Sequence, residues 1–215
     1  MKKIVVVCLL SLFVLAGCSS NSSVVQDTKT SSKPEILSNV DSKHMIIEYK
    51  YDNMVRDTFY YHMNESGKTV IDTEYYKTQP ISRGEVVYFK PLPSKRIPNT
   101  DDQLARIIGL PGEKVKITKG QVYINGAKLD AFYGQATQLG MNQTEYVEFQ
   151  KKKDSNYTLD EDSKKFFNQD IPEVTLANDQ VFVLGDTWWR SNDSMVFGPL
   201  PKQQIIGIAI GVTGK

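Results

Sequence analysis

Cysteine and histidine are scarce in this chain, and neither occurs in the spacing of a metal site. Both cysteines, Cys8 and Cys18, fall at the very start, so residues 19–215 hold no thiol and can form no disulfide among themselves. The two histidines, His44 and His62, follow no ligand pattern. A zinc centre needs three or four nitrogen and sulfur ligands, so neither a structural metal nor a cofactor is expected. Charge of one sign is missing too. There are 26 Lys and Arg against 25 Asp and Glu, without the basic surplus that marks a nucleic-acid partner. The uncharged apolar stretch from Ile4 to Ala16 is shorter than the roughly 20 residues of a membrane-spanning helix. Packing alone must therefore hold the fold. The chain is long enough for one domain, or one domain with a sizeable insertion.

What is present begins at the N-terminus. Lys2 and Lys3 precede the apolar stretch, which closes in Leu15-Ala16-Gly17-Cys18. A positive start, a short apolar region and small residues at the end are the parts of an export signal. The closing tetrapeptide resembles the lipobox of bacterial lipoproteins. That resemblance implies that residues 1–17 are a signal peptide and that Cys18 receives a lipid. Without Lys2 and Lys3 the mature chain has 24 basic residues against 25 acidic ones. Ser19 to about Ser42 is rich in Ser, Thr, Asn and Lys. Such composition predicts a flexible tether over 18–42, able to hold the domain tens of ångströms off the membrane at roughly 3.3 Å per residue. The folded domain is then 43–215.

Short strand signals follow. Met45 to Tyr51 alternates from Ile47 onward, and Thr58 to Met63 is short and aromatic. Thr69 to Tyr76, Glu85 to Phe89, Arg106 to Gly109, Lys114 to Thr118, Gln121 to Ile124, Val181 to Leu184 and Ile205 to Val212 are rich in β-branched or aromatic residues. Asn125-Gly126 is a strong hairpin dipeptide. Short strands separated by Gly and Pro turns predict a mainly β domain. Residues 136–170 break the pattern, with dense charge from Lys151 to Lys165. A solvated insertion holding one helix is expected there.

Two segments carry the most information. One is Arg106-Ile107-Ile108-Gly109-Leu110-Pro111-Gly112-Glu113-Lys114-Val115, with Gly120 to Gly126 after it. The other is Gly185-Asp186, then Ser191, Asp193, Ser194 and Gly198-Pro199-Leu200. Together they resemble the bacterial type I signal peptidases, membrane serine proteases that cut signal peptides from exported proteins. Arg83-Gly84-Glu85 stands where that family has Arg-Gly-Asp. The resemblance covers about 45–215 and implies a signal peptidase I-like β-fold.

It also implies a serine nucleophile and a lysine general base, the lysine neutral through burial. Here the base position is Ala105, which cannot accept a proton. Lys95 and Arg96 are near in sequence, in a Pro-flanked loop. Counting back from Arg83, the nucleophile position falls on Thr58, with Ser66 as the other candidate. Ser66-Gly67-Lys68-Thr69 lacks the first glycine of a phosphate loop and predicts a turn. Ser191 and Asp193 match family residues that support the lysine, while Met195 replaces an arginine, and Thr187-Trp188 an Asn-Arg pair. Trp188 or Trp189 is a candidate to fill a vacated pocket. Disabling such a catalytic unit costs about a millionfold in turnover, about 8 kcal/mol of barrier. The resemblance therefore implies a degenerate, membrane-tethered relative that binds exported or pilin-type protein segments, or an active signal peptidase, as an accessory factor. The alternative is an endopeptidase with a rearranged dyad. Either would work at the extracytoplasmic face of the cell membrane, and the Lys- and Asn-rich composition favours a Gram-positive surface.

Overall fold

Alternation of apolar and polar side chains builds most of this molecule. The computed structural model describes residues 24–56, 67–94 and 101–214. Its strands, in chain order, are β1 (Val24–Gln26), β2 (Ile36–Leu37), β3 (Met45–Ile47), β4 (Thr69–Asp72), β5 (Val86–Phe89), β6 (Gln103–Gly109), β7 (Lys114–Thr118), β8 (Gln121–Ile124), β9 (Ala127–Asp130), β10 (Ile171–Thr175), β11 (Gln180–Leu184), β12 (Leu200–Pro201) and β13 (Ile205–Thr213). The helices are α1 (Gln143–Lys151), α2 (Glu161–Phe167) and the short α3 (Ser194–Phe197). The mainly β expectation holds. No helix of the described residues is long and apolar enough to cross a membrane.

The strands form two sheets. One has the order β1-β9-β8-β7-β10, and the other runs β12-β11-β6-β5-β13-β4-β3, with β2 added beside β13. In β7, Val115 and Ile117 are buried while Lys114 and Lys116 are exposed. The β8–β9 hairpin turns at Asn125-Gly126, both at positive φ, as this dipeptide favours. In β6 all seven residues are buried, because β5 and β11 flank it and core lies on both its faces. Strand β4 stops at Asp72 and a 3-10 turn takes Tyr75–Lys77, so the strand expected through Tyr76 is shorter. Strand β3 likewise ends at Ile47. The strand expected at 58–63 lies outside the described residues.

The segment expected as a free tether is not free where it is described. Strand β1 pairs in parallel with β9, Val24 opposite Lys128 and Gln26 opposite Asp130. Strand β2 pairs in parallel with the end of β13. Between them Asp27 accepts from the backbone N–H groups of Lys29 and Thr30 at 3.0 Å and from the hydroxyls of Thr30 and Tyr133. Polar composition concealed this, because the segment docks mainly through backbone ladders and an aspartate-centred turn, with Val25 packed against the core. Gly84 shows how closely it lies. At φ +89° only glycine is at ease, and a side chain there would overlap Thr30 and Asp27.

The 136–170 stretch also departs from expectation. It forms two helices, each with an aspartate or asparagine cap. Asn142 and Glu145 make a reciprocal capping box on α1, and Asp160 caps α2. Their inner residues Tyr146 and Phe167, with Leu159 from the connection, join a core cluster with Val115, Ile117, Val122, Ile124 and Leu129. The charged run is the outer face of a packed element, and these three aromatic or aliphatic anchors do the packing.

Candidate functional site

The site is built around β6, where Arg106 and Ala105 point to opposite sides. Arg106 is buried and forms a two-pronged ion pair with Asp186, Nε to Oδ1 at 2.9 Å and Nη2 to Oδ2 at 2.7 Å. Its Nη1 donates to the Gly84 carbonyl at 2.6 Å, and its guanidinium lies over the Phe132 ring. A planar fork matched to a carboxylate is the strong form of such a pair. Arg83 pairs with Glu113 at 2.7 Å and donates to the Ile108 carbonyl. Glu113 in turn accepts from the Leu110 N–H at 2.7 Å, which fixes the turn at Pro111-Gly112 after Gly109 ends β6.

The loop after β11 is held just as tightly. Asp193 is fully buried, and its two oxygens accept from the Gly185 and Met195 N–H groups at 3.0 Å. Ser191 donates to the Thr187 carbonyl at 2.8 Å, and Ser194 accepts from Val183 N–H at 2.9 Å. Gly185 leaves room for this: a Cβ there would overlap Ser191. These contacts of Asp193, Ser191 and Ser194 hold the local fold of the loop.

Ala105 is fully buried in an apolar cluster with Val87, Phe89, Ile107, Val181, Val183 and Leu200. Trp188 is buried, but in the other cluster, with Phe182 and Leu184 beside the five-stranded sheet. Trp189 is about half exposed, with Arg190 over its ring. Neither indole belongs to the Ala105 cluster, and the rest of the pocket that Trp188 or Trp189 was expected to fill lies outside the described residues. Thr58, His62 and Ser66, as well as Lys95, Arg96 and Cys18, lie outside the described residues.

Sequence reasoning missed the residues that close the edge of β6. Strand β11 ends at Leu184, opposite Arg106, so the outward backbone groups of Leu104 have no strand beside them. Two side chains take that place. Leu104 N–H donates to the Tyr49 hydroxyl at 3.0 Å, and Asn53 Nδ2 donates to the Leu104 carbonyl at 2.7 Å. Tyr49 donates to Asn53 Oδ1 at 2.6 Å, which ties the two together. The Asn53 carbonyl accepts from Thr187 N–H at 2.7 Å, and Arg190 pairs with Asp52. Burial pushes the Tyr49 phenol up, well above its ordinary pKa, despite the hydrogen bonds that oppose this, so it stays a neutral donor. Tyr49 was visible as an aromatic, but nothing local marks Asn53 as the partner of a strand 51 residues on. Among the described residues no group of His, Cys, Asp and Glu is arranged to hold a metal.

Comparison with known proteins agrees with the motifs. The family model described as signal peptidase, peptidase S26, matches residues 1–213. A probable signal peptidase I-2 of Synechocystis sp. is 29% identical over 143 residues, which is 66% of this chain and 52% of that protein. A probable signal peptidase I-1 of the same organism is 30% identical over 69% of this chain and 62% of its own length. Signal peptidase IB of Staphylococcus aureus is 28% identical over 67% of each chain. This chain thus spans between half and two-thirds of the Synechocystis proteins. A solved signal peptidase I from Enterococcus faecalis matches at 27% identity and a TM-score of 0.39, over 60% of this chain and 97% of that one.

Proposed function

Because the chain belongs to the signal peptidase S26 family, we propose that it is a lipid-anchored relative that has lost the cutting chemistry and kept a protein-binding role. The observation that carries this is Ala105. It follows the motif count to the base position, and among the described residues it sits fully buried in an apolar cluster. A lysine-dependent mechanism needs a basic nitrogen there. Cys18 supplies the anchor, and the segment bound is an exported or pilin-type chain, or an active signal peptidase at the same membrane.

The closed edge at Leu104 refines how a peptide would be taken up. Strand addition requires unpaired backbone donors and acceptors. At Leu104 those groups already belong to Tyr49 and Asn53, so an incoming strand must displace both side chains.

The test uses the full chain in detergent with signal-peptide and pilin-type peptides. The expected result is saturable binding without cleavage. Absence of affinity for every such peptide overturns the binding role. Reproducible cutting that disappears in Thr58→Ala or Ser66→Ala restores the alternative of an active endopeptidase.

A further inference from the structure

The outer face of the five-stranded sheet has a charge that the rest of the fold does not explain. Its inner face is committed, since Val115, Ile117, Val122, Ile124 and Leu129 all point into the core. Alternation sends the next residues outward. Across the strands, Val24 of β1 stands opposite Lys128, Lys128 opposite Tyr123, and Tyr123 opposite Lys116. The row spans three strand spacings, about 14 Å. Val24, Lys128 and Lys116 are exposed, and Tyr123 is half-buried. Lys114 lies at the same end and pairs with Glu173 at 3.3 Å. Among the described residues Lys116 and Lys128 have no ion-pair partner. The other outward acid of these strands, Asp130, lies in the next row, two residues along β9 from Lys128 and beside Gln26. With Lys114, Lys116 and Lys128 against Glu173 and Asp130, this end is net positive in a mature chain that has 24 basic residues against 25 acidic ones.

Chain geometry gives the face its partner. Residue 24 is already in the sheet, six peptide steps after Cys18, and six steps extend at most about 20 Å. A lipid on Cys18 therefore holds the start of β1 within that distance of the bilayer. We infer that the outer face of the five-stranded sheet, at the end carrying Val24, Lys128, Tyr123 and Lys116, lies against anionic lipid headgroups. The inference rests on the reading of Cys18 as the anchor. Each lysine near such a surface adds about fivefold to partitioning, over a range of about 8 Å at physiological salt. A tyrosine between the lysines suits the headgroup level, where its ring is apolar and its hydroxyl wet.

The experiment uses full-length protein extracted from membranes and reconstituted in phosphatidylcholine vesicles containing about a third phosphatidylglycerol. With Cys18 lipidated and Cys8 removed, an introduced cysteine is the only free thiol. A fluorophore on Tyr123→Cys is expected to be quenched by lipid-borne quencher, and one on Gln79→Cys, in the other sheet's turn region, is not. Lys116→Glu combined with Lys128→Glu, or high salt, should bring the signal at 123 down to that at 79 while the protein stays with the vesicles. Equal signals at the two positions overturn the inference. So does quenching at 123 that neither the charge reversal nor the phosphatidylglycerol content alters. Intact mass separates the premise: protein without lipid on Cys18 overturns the anchor reading and this inference together.

Discussion

At the scale of single residues, charge is used here for architecture. The Arg106–Asp186 pair joins strand β6 to the loop after β11, 80 positions apart in the chain, and is almost wholly buried. Removing one partner leaves the other ion in the core without compensation, which costs about 3–5 kcal/mol. Asp186→Ala should therefore lower the urea midpoint sharply, whereas replacing both partners with apolar residues should cost much less; urea titration of the three variants checks this. Tyr49→Phe leaves Leu104 N–H without its acceptor and is expected to cost about 1–3 kcal/mol, seen as faster hydrogen exchange at that amide. The motif residues were legible because their spacing is long and specific. Their partners were not, since a glycine run or an Arg-Ile-Ile-Gly segment says nothing about which carboxylate arrives from the far end of the chain. Asn53 was invisible for the same reason.

Among the elements, the N-terminal segment and the two-helix insertion were the parts that composition misjudged. Both are polar in sequence, and both dock through a few contacts that composition averages away. The N-terminal segment has a pH dependence set by Asp27. Burial pushes this carboxyl up, but hydrogen bonds from Thr30, Tyr133 and the backbone of residues 29 and 30 outweigh it and hold it below its ordinary 3.8. A carboxyl depressed in the fold contributes above that ordinary value and loses its contribution as the pH falls through the lower folded value. Residues 24–37 should thus loosen in acid before the rest of the molecule. Limited proteolysis across a series from neutral pH to below 3.8 should show cuts appearing there first. Gly84→Ala should produce a similar loosening at neutral pH, because the methyl group meets Thr30 and Asp27 and the backbone sits at φ +89°. Its signature is faster amide exchange in 24–37 with the β6 amides unchanged.

For the whole molecule, the two apolar clusters share strands β6 and β11, so unfolding should be one transition. Ile107 and Ile108, neighbours in β6, belong to separate clusters on its two faces. Phe167→Ala, made in the outlying helix α2, should accordingly lower the single melting transition of the entire domain, at a cost of about 3–5 kcal/mol. Two resolved transitions in calorimetry would show instead that the helical insertion folds apart from the sheets. The mainly β architecture could be read from short β-branched runs and Gly or Pro turns. The pairing of strands could not, since β1 meets β9 about a hundred residues later and β2 meets the end of β13. That separation also sets an order of events. A chain made N-terminus first presents residues 24–37 long before residues 127–130 and 212–213 follow. Until then the stretch has no strand to join. Completion of the last strand then draws residues 36 and 37 in against the finished sheet.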